Sequence, residues 1–284
     1  MIRMIAVGWI FGLLTFASAA SAQLTHLHVV EVGSGSPSFV VLHGGPGLTH
    51  DYLRPEWDAL ARYGPVLYYD QRGCGQSDWS GPLTWRQHVE DLEALLEERA
   101  PDEQVVLAGS SWGAVLALLY AHTYRGRISA LVLSGLPPWR ELVDARAARY
   151  EELSPAAKDS FRRSVERVSF DSYPVRDSLW IANRPGVLGD VISKRLRMGC
   201  PLAADIIFQS LYDAPRLADL RSISVRTLII DGDIPDPRGS GAANVADVLP
   251  NATLRILPGT GHDPWLDRPD AFFDTVGEFL TRSQ

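Results

Sequence analysis

Five residues, Gly109-Ser110-Ser111-Trp112-Gly113, carry the pattern that could do chemistry. A serine flanked two residues away on each side by glycine suits a tight turn, and on such a turn the hydroxyl stands clear of its own backbone. A serine hydroxyl is a weak nucleophile until a base takes its proton. The reading of Ser111 as a nucleophile therefore makes three demands: a histidine, a carboxylate to orient it, and N–H donors for the negative charge that develops on an attacked carbonyl. The structural alternative is a glycine–serine loop that caps a helix. The flanks favour the nucleophile. Residues 105–107 are apolar and strand-like, and residues 114–121 are alanine- and leucine-rich and helical, so the motif spans a strand-to-helix turn.

His262 meets the first demand. It sits in a glycine-bounded loop, Gly259-Thr-Gly-His262, just after the last strand-like segment. A lone histidine is by default a surface or packing residue. Its place after a strand and its order after the serine favour a base that takes the Ser111 proton and later returns it. The carboxylate comes from Asp231-Gly-Asp233-Ile-Pro-Asp236. Asp233 is the preferred acid and Asp236 the alternate, the other being a turn residue or cap. Upstream, His43-Gly-Gly-Pro-Gly47 follows an apolar strand and can continue neither strand nor helix. Its backbone can turn an amide towards a ligand, which nominates the N–H groups of Gly45 and Trp112 as the oxyanion hole.

The positioning elements follow from periodicity. Strand patterns recur at 38–42, 66–69, 128–133, 226–230 and 253–257, alternating with helical patterns at 52–63, 84–99 and 268–282. Alternation of this kind predicts an α/β fold with a mostly parallel sheet and helices on both faces. Residues 139–220 break the pattern, being rich in charge and helix formers, and read as a helical cap. The core is then 23–138 plus 221–284. Asp70-Gln-Arg-Gly is expected to brace the loop behind the site through an Asp70–Arg72 charge pair rather than to take part in chemistry. The two cysteines, Cys74 and Cys200, read as free, partly buried thiols, with a single bridge between them in an oxidising compartment as the alternative.

Residues 1–22 stand apart. A short positive start, an apolar run and Ala20-Ser-Ala22 form a secretory signal peptide cut before Gln23, which implies a secreted or periplasmic destination and no stable membrane insertion after cleavage. A formal net charge of −7 without any basic run excludes a nucleic-acid binder. None of the seven histidines has metal-ligand spacing, and the chemistry needs no cofactor. The expected partner is a small-molecule or short-peptide substrate.

Taken together, His43-Gly-Gly-Pro-Gly47, Asp70-Gln-Arg-Gly-Cys-Gly-Gln-Ser77, Gly109-Ser-Ser-Trp-Gly113 and Gly261-His262 resemble the α/β-hydrolase superfamily, in its proline iminopeptidase-like branch (peptidase family S33). The resemblance implies an α/β-hydrolase fold and a Ser111–Asp–His262 triad, with Gly45 and Trp112 as oxyanion donors. It also implies aminopeptidase or amidase activity on small substrates. Aminopeptidases of this branch hold the substrate amine with acids of the cap, for which Asp205, Asp213, Glu151 and Glu152 are the candidates. Carboxylesterases and lactonases share the motifs and form the alternative. A catalytically inactive binding protein on the same fold is the third reading.

Overall fold

The computed structural model describes residues 26–78, 80–167, 201–236 and 239–281. The expected N-terminal leader lies outside the described residues. Seven strands form one sheet: β1 (Val29–Val32), β2 (Phe39–Leu42), β3 (Val66–Tyr69), β4 (Val105–Ser110), β5 (Ile128–Ser134), β6 (Arg226–Gly232) and β7 (Ala252–Leu257). Their order is β1-β3-β2-β4-β5-β6-β7. Only the β1–β3 pair is antiparallel, and β2 through β7 run parallel. The α/β architecture expected from the alternating patterns is therefore present.

Strand side chains alternate between two apolar layers, as a period of two requires. Val40, Leu107, Leu131 and Ile229 face one layer, with Leu92 and Leu96 of α1 (Trp85–Arg99) and nearly all of α2 (Trp112–Thr123). Phe39, Val41, Ala108, Val132 and Ile230 face the other, against Trp57, Trp265 and Phe272. Both faces are thus covered, which explains why the strands read as continuous apolar runs. α2 is buried all round from Trp112 to Ala121, so it shows no amphipathic stripe. In α1 the buried residues recur at helical spacing, and the Thr84 hydroxyl caps its start by accepting the Gln87 N–H at 3.2 Å. Trp57 meets Phe272 at 5.6 Å and Phe273 edge-on at 6.1 Å between centroids, which docks the final helix Pro269–Thr281. Full burial of such a ring contributes about 2–3 kcal/mol.

The helical spacing at 52–63 is realised differently. Two 3₁₀ stretches form, His50–Leu53 and Glu56–Arg62. Pro55 separates them, and the residue before it, Arg54, is extended at φ −101°, ψ 147°, because the proline ring disfavours a helical neighbour.

Every described element between β5 and β6 is helical: a π-turn at Arg140–Asp144, α3 (Ala145–Glu151), α4 (Pro155–Arg167), the helix Pro201–Ser210, and 3₁₀ turns at Leu211–Asp213 and Leu217–Ser222. This insertion is tied to the core at α1. The Trp85 N–H donates to Ser210 Oγ at 2.9 Å, and the Trp85 indole donates to Asp213 at 2.9 Å. No described helix is long and apolar enough to cross a membrane.

Candidate active site

Ser111 stands at the C-terminal edge of the sheet, where β4 hands over to α2. Its backbone is at φ 56°, ψ −117°, and among the described residues it is the one non-glycine at positive φ. Such a conformation costs about 1–3 kcal/mol and persists only where the surroundings impose it. Here the Ser111 N–H donates to the Ser134 carbonyl of β5 at 2.9 Å, while its own carbonyl accepts from Ala114 and Val115. The flanking glycines make the turn possible. A Cβ on Gly109 would collide with the Gly113 carbonyl, and one on Gly113 with the Leu42 carbonyl at the end of β2.

The same close approach brings residues 43–47 past the serine. A Cβ on Gly44 would lie 3.2 Å from Ser111 Cβ. The Gly44 N–H donates to the buried Tyr52 hydroxyl at 2.9 Å, and Gly45, whose amide is the candidate donor, follows at φ +122°. Trp112 opens α2, and at the first helical position its N–H has no partner within the helix. Both candidate oxyanion donors therefore come from backbone beside Ser111.

Gln71 locks these two segments together. Its backbone N–H donates to His43 Nε2 at 2.9 Å and its side-chain amide to the His43 carbonyl at 2.8 Å, and its Oε1 accepts the Trp112 indole N–H at 2.8 Å. Because His43 Nε2 accepts from a backbone N–H, the ring proton sits on Nδ1, which donates to the Gly44 carbonyl at 2.9 Å. Burial pushes the His43 pKa down to about 4, so the ring is neutral at pH 7 despite the nearby Asp70.

The expected Asp70–Arg72 charge pair does not form. Arg72 binds Asp91 of α1 through Nε at 2.7 Å and through Nη2, and also the Ser80 carbonyl. Asp70 instead accepts from His50 Nδ1 at 2.7 Å, from the His50 backbone at 3.1 Å and from Gln76 at 3.0 Å. Burial alone would raise its pKa, but the hydrogen bond from His50 and the neighbouring His43 hold it below the usual range. The reason is geometric: β3 ends at Tyr69, and residues 70 and 72 leave the strand towards different sides, one to the 3₁₀ turn and one to α1. Cys74 is buried, with its thiol 3.8 Å from the Arg72 carbonyl. Cys200 lies outside the described residues.

The acid loop separates its two candidates by contact. Asp236, the alternate, reaches His262, with Oδ2 3.0 Å from Nδ1. Asp233, the preferred residue, accepts the Gly259 N–H at 2.6 Å and is exposed. Asp231 binds the Ser240 hydroxyl. Gly232 packs so tightly on the Thr260 carbonyl that a Cβ there would collide with it, and the Ile234 N–H then bonds that same carbonyl at 3.0 Å. The chain is thereby held along residues 259–260 as it bends at residues 233–234, and the Asp236 side chain arrives at the imidazole. The ring is seated against Gly135, one residue beyond the Ser134 carbonyl that holds Ser111, and a Cβ on Gly135 would lie 3.1 Å from His262 Cε1. The His262 and Asp236 side chains are 15% and 10% exposed, and a cleft of about 200 Å³ opens beside them, walled in part by Leu136, Ile234 and Ser240.

Of the four acids considered as an amine clamp, Asp213 is held by Trp85 and Arg86, and Glu151 by Arg216 Nη2 at 2.6 Å. Glu152 is exposed, and the Asp205 side chain lies outside the described residues. Gln71 and Tyr52 are site-building residues that spacing did not single out. The only signal for Gln71 was its place inside the Asp70-Gln-Arg-Gly motif.

A family model described as the alpha/beta hydrolase fold matches residues 37–269. A proline iminopeptidase of Lactiplantibacillus plantarum is 36% identical over 273 residues, covering 87% of this chain and 93% of its own length. One from Saccharolobus solfataricus is 29% identical, covering 88% and 86%. Among solved structures, a thermophilic esterase from Thermogutta terrifontis aligns at TM-score 0.66 with 23% identity over 92% of this chain and 95% of its own. The enol-lactonase of Burkholderia xenovorans aligns at 0.64 with 22% identity, over 91% and 97%. At such identities the structures speak for the fold alone. The family match and the similarity to the iminopeptidases together mean that the chain belongs to the alpha/beta hydrolase fold family, in its proline iminopeptidase-like branch.

Proposed function

We propose that the chain is a serine hydrolase that passes an acyl group from a small substrate to water through Ser111. The observation that carries this reading is the Asp236–His262 pair at 3.0 Å, seated next to the strand end that holds Ser111 on its strained turn. Asp236 engages Nδ1 and so fixes the tautomer in which Nε2 is free to accept the Ser111 proton. Oγ then attacks the carbonyl carbon, and the oxyanion is received by the Gly45 and Trp112 amides, with no charge reorganisation needed at the moment of reaction. Collapse breaks the bond to the leaving group, which takes the proton from His262. Water, deprotonated by the same ring, releases the acid and restores Ser111.

For the substrate we favour short peptides or other small amides with an N-terminal proline, because the relatives that span the chain carry that name. Esters and lactones are the second reading, favoured by the engagement of Asp213 and Glu151 elsewhere. Purified mature protein assayed on proline arylamide beside aryl esters and lactones decides between them. A preference for the arylamide by orders of magnitude supports the first; the reverse result overturns it. An inactive binding protein is excluded when wild type reacts with a fluorophosphonate probe and Ser111→Ala does not.

The leader at residues 1–22 supports export to the periplasm or beyond. N-terminal sequencing of the protein recovered from outside the cytoplasm should begin at Gln23. Retention in the cytoplasm with Met1 intact would overturn export.

A further inference from the structure

Two consecutive peptide units of the loop after β2 are gripped by buried side chains. In the first, between His43 and Gly44, the carbonyl accepts from Gln71 Nε2 at 2.8 Å and the N–H donates to the Tyr52 hydroxyl at 2.9 Å. In the second, between Gly44 and Gly45, the carbonyl accepts from His43 Nδ1 at 2.9 Å. This second unit is trans, and in a trans unit the N–H points opposite to the carbonyl. The Gly45 N–H is therefore aimed away from the His43 ring, in a direction set once the neighbouring unit is fixed.

Tyr52 reaches the loop from the 3₁₀ turn His50–Leu53. It is buried, with its ring 5.9 Å from that of Trp265 between centroids. Only glycine at 44 admits the hydroxyl, since a Cβ there would come within 2.7 Å of it. The same Cβ would lie 3.2 Å from Ser111 Cβ, so hydroxyl, loop and serine meet within the width of one side chain. Burial first and then Asp263 hold the phenol pKa well above its ordinary value, so the hydroxyl stays neutral. The turn is braced in turn by Asp70, which accepts the His50 backbone N–H at 3.1 Å and the ring Nδ1 at 2.7 Å. Asp70 and Gln71, consecutive residues past the end of β3, thus hold residues 43–52 near both ends.

We propose that Tyr52 is a positioning residue of the oxyanion site: by accepting the Gly44 N–H it fixes the loop so that the Gly45 amide meets the charge developing on the attacked carbonyl, a role that rests on the reading of Ser111 as nucleophile and of Gly45 as donor. The buried Asp70–His50 pair then serves the same amide, through the turn that carries Tyr52.

Tyr52→Phe deletes the acceptor and keeps the ring. Removing an oxyanion donor lowers kcat about 10²–10³-fold, and a donor loosened rather than removed should lower it about 10–100-fold. KM should stay within about twofold, because the oxyanion exists only in the transition state. The second-order rate of fluorophosphonate labelling should fall in parallel, since the phosphoryl oxygen takes the place of the oxyanion. A role confined to packing would lower the melting temperature and leave both constants, normalised to folded protein, unchanged. A fall in kcat or in labelling rate of less than about tenfold, or a loss carried by KM, overturns the proposal. Wild type gives a check that needs no variant to fold: the Gly44 amide should exchange its hydrogen at least about 100-fold more slowly than in the unfolded chain, and unprotected exchange overturns the anchor. Failure of the Ser111 reading shows separately, as absence of labelling in wild type.

Discussion

The Gln71 side chain accepts the Trp112 indole N–H at 2.8 Å, so a residue of the loop after β3 governs the ring that follows Ser111. The same side chain donates to the His43 carbonyl. One buried amide thus ties the His43 backbone to the Trp112 indole at a fixed spacing. Truncation by Gln71→Ala leaves a buried indole N–H and a buried carbonyl unpaired, at about 1–3 kcal/mol each. Denaturant melts should show a loss of about 2–6 kcal/mol on that basis. The turnover number of the folded variant, normalised by active-site titration, should fall with it. Gln71→Glu, which keeps the size but offers no donor to the His43 carbonyl, should show the same direction of change.

Asp236 and Asp233 should separate cleanly. Asp236→Asn removes the charge that stabilises the His262 imidazolium and should lower kcat about 10⁴-fold, with KM nearly unchanged. Asp233→Asn alters an exposed contact to the Gly259 N–H and should leave kcat within about threefold while lowering stability by about 0.5–1 kcal/mol. Steady-state kinetics on the best substrate of the panel, with matched melts, checks both. Equal loss of kcat in the two variants would refute the assignment.

Ser111 stores strain at φ 56°. Ser111→Gly should abolish fluorophosphonate labelling and yet raise stability by about 1 kcal/mol, since glycine adopts positive φ freely. Ser111→Ala should be equally inactive without that gain, because alanine keeps the Cβ. Urea midpoints of the two inactive variants make the comparison.

Acid should unfold the protein through His43. Its unfolded pKa is near 6.5 and its folded pKa near 4. Between those values the unfolded chain binds more protons, so the stability present above pH 6.5 is lost as pH falls to about 4, amounting to roughly 3 kcal/mol. Buried His88, whose pKa burial also lowers, adds in the same direction. Thermal melts from pH 7 to 4 should show a steep fall, and His43→Gln, which can offer one donor and one acceptor in the same place, should flatten it. An unchanged slope would remove His43 as the source.

Local pattern settled much of this protein. Apolar runs of four to seven residues are legible because a parallel strand covered on both faces is apolar throughout, and α2 is legible because a fully buried helix is too. The turn at Ser111 is legible because only glycine at 109 and 113 lets β4, α2 and β2 meet so closely. The motifs name Ser111, His262 and two carboxylates as candidates in that chain order. What spacing could not decide was which side chain meets which across loops. Asp233 and Asp236 differ by three residues in a loop whose path is set by the close packing of Gly232 on Thr260 and by the hold of Thr260 on Ile234, both tertiary facts. Arg72 finds Asp91, nineteen residues away, rather than Asp70, because β3 releases the two side chains in different directions. Gln71 draws its importance from His43 and Trp112, which the sheet order β3-β2-β4 brings together from distant sequence. The sequence by itself determined the fold and the candidate residues; the folded chain alone decided their partners, because hydrogen bonds across loops depend on where the backbone runs rather than on how residues are spaced along it.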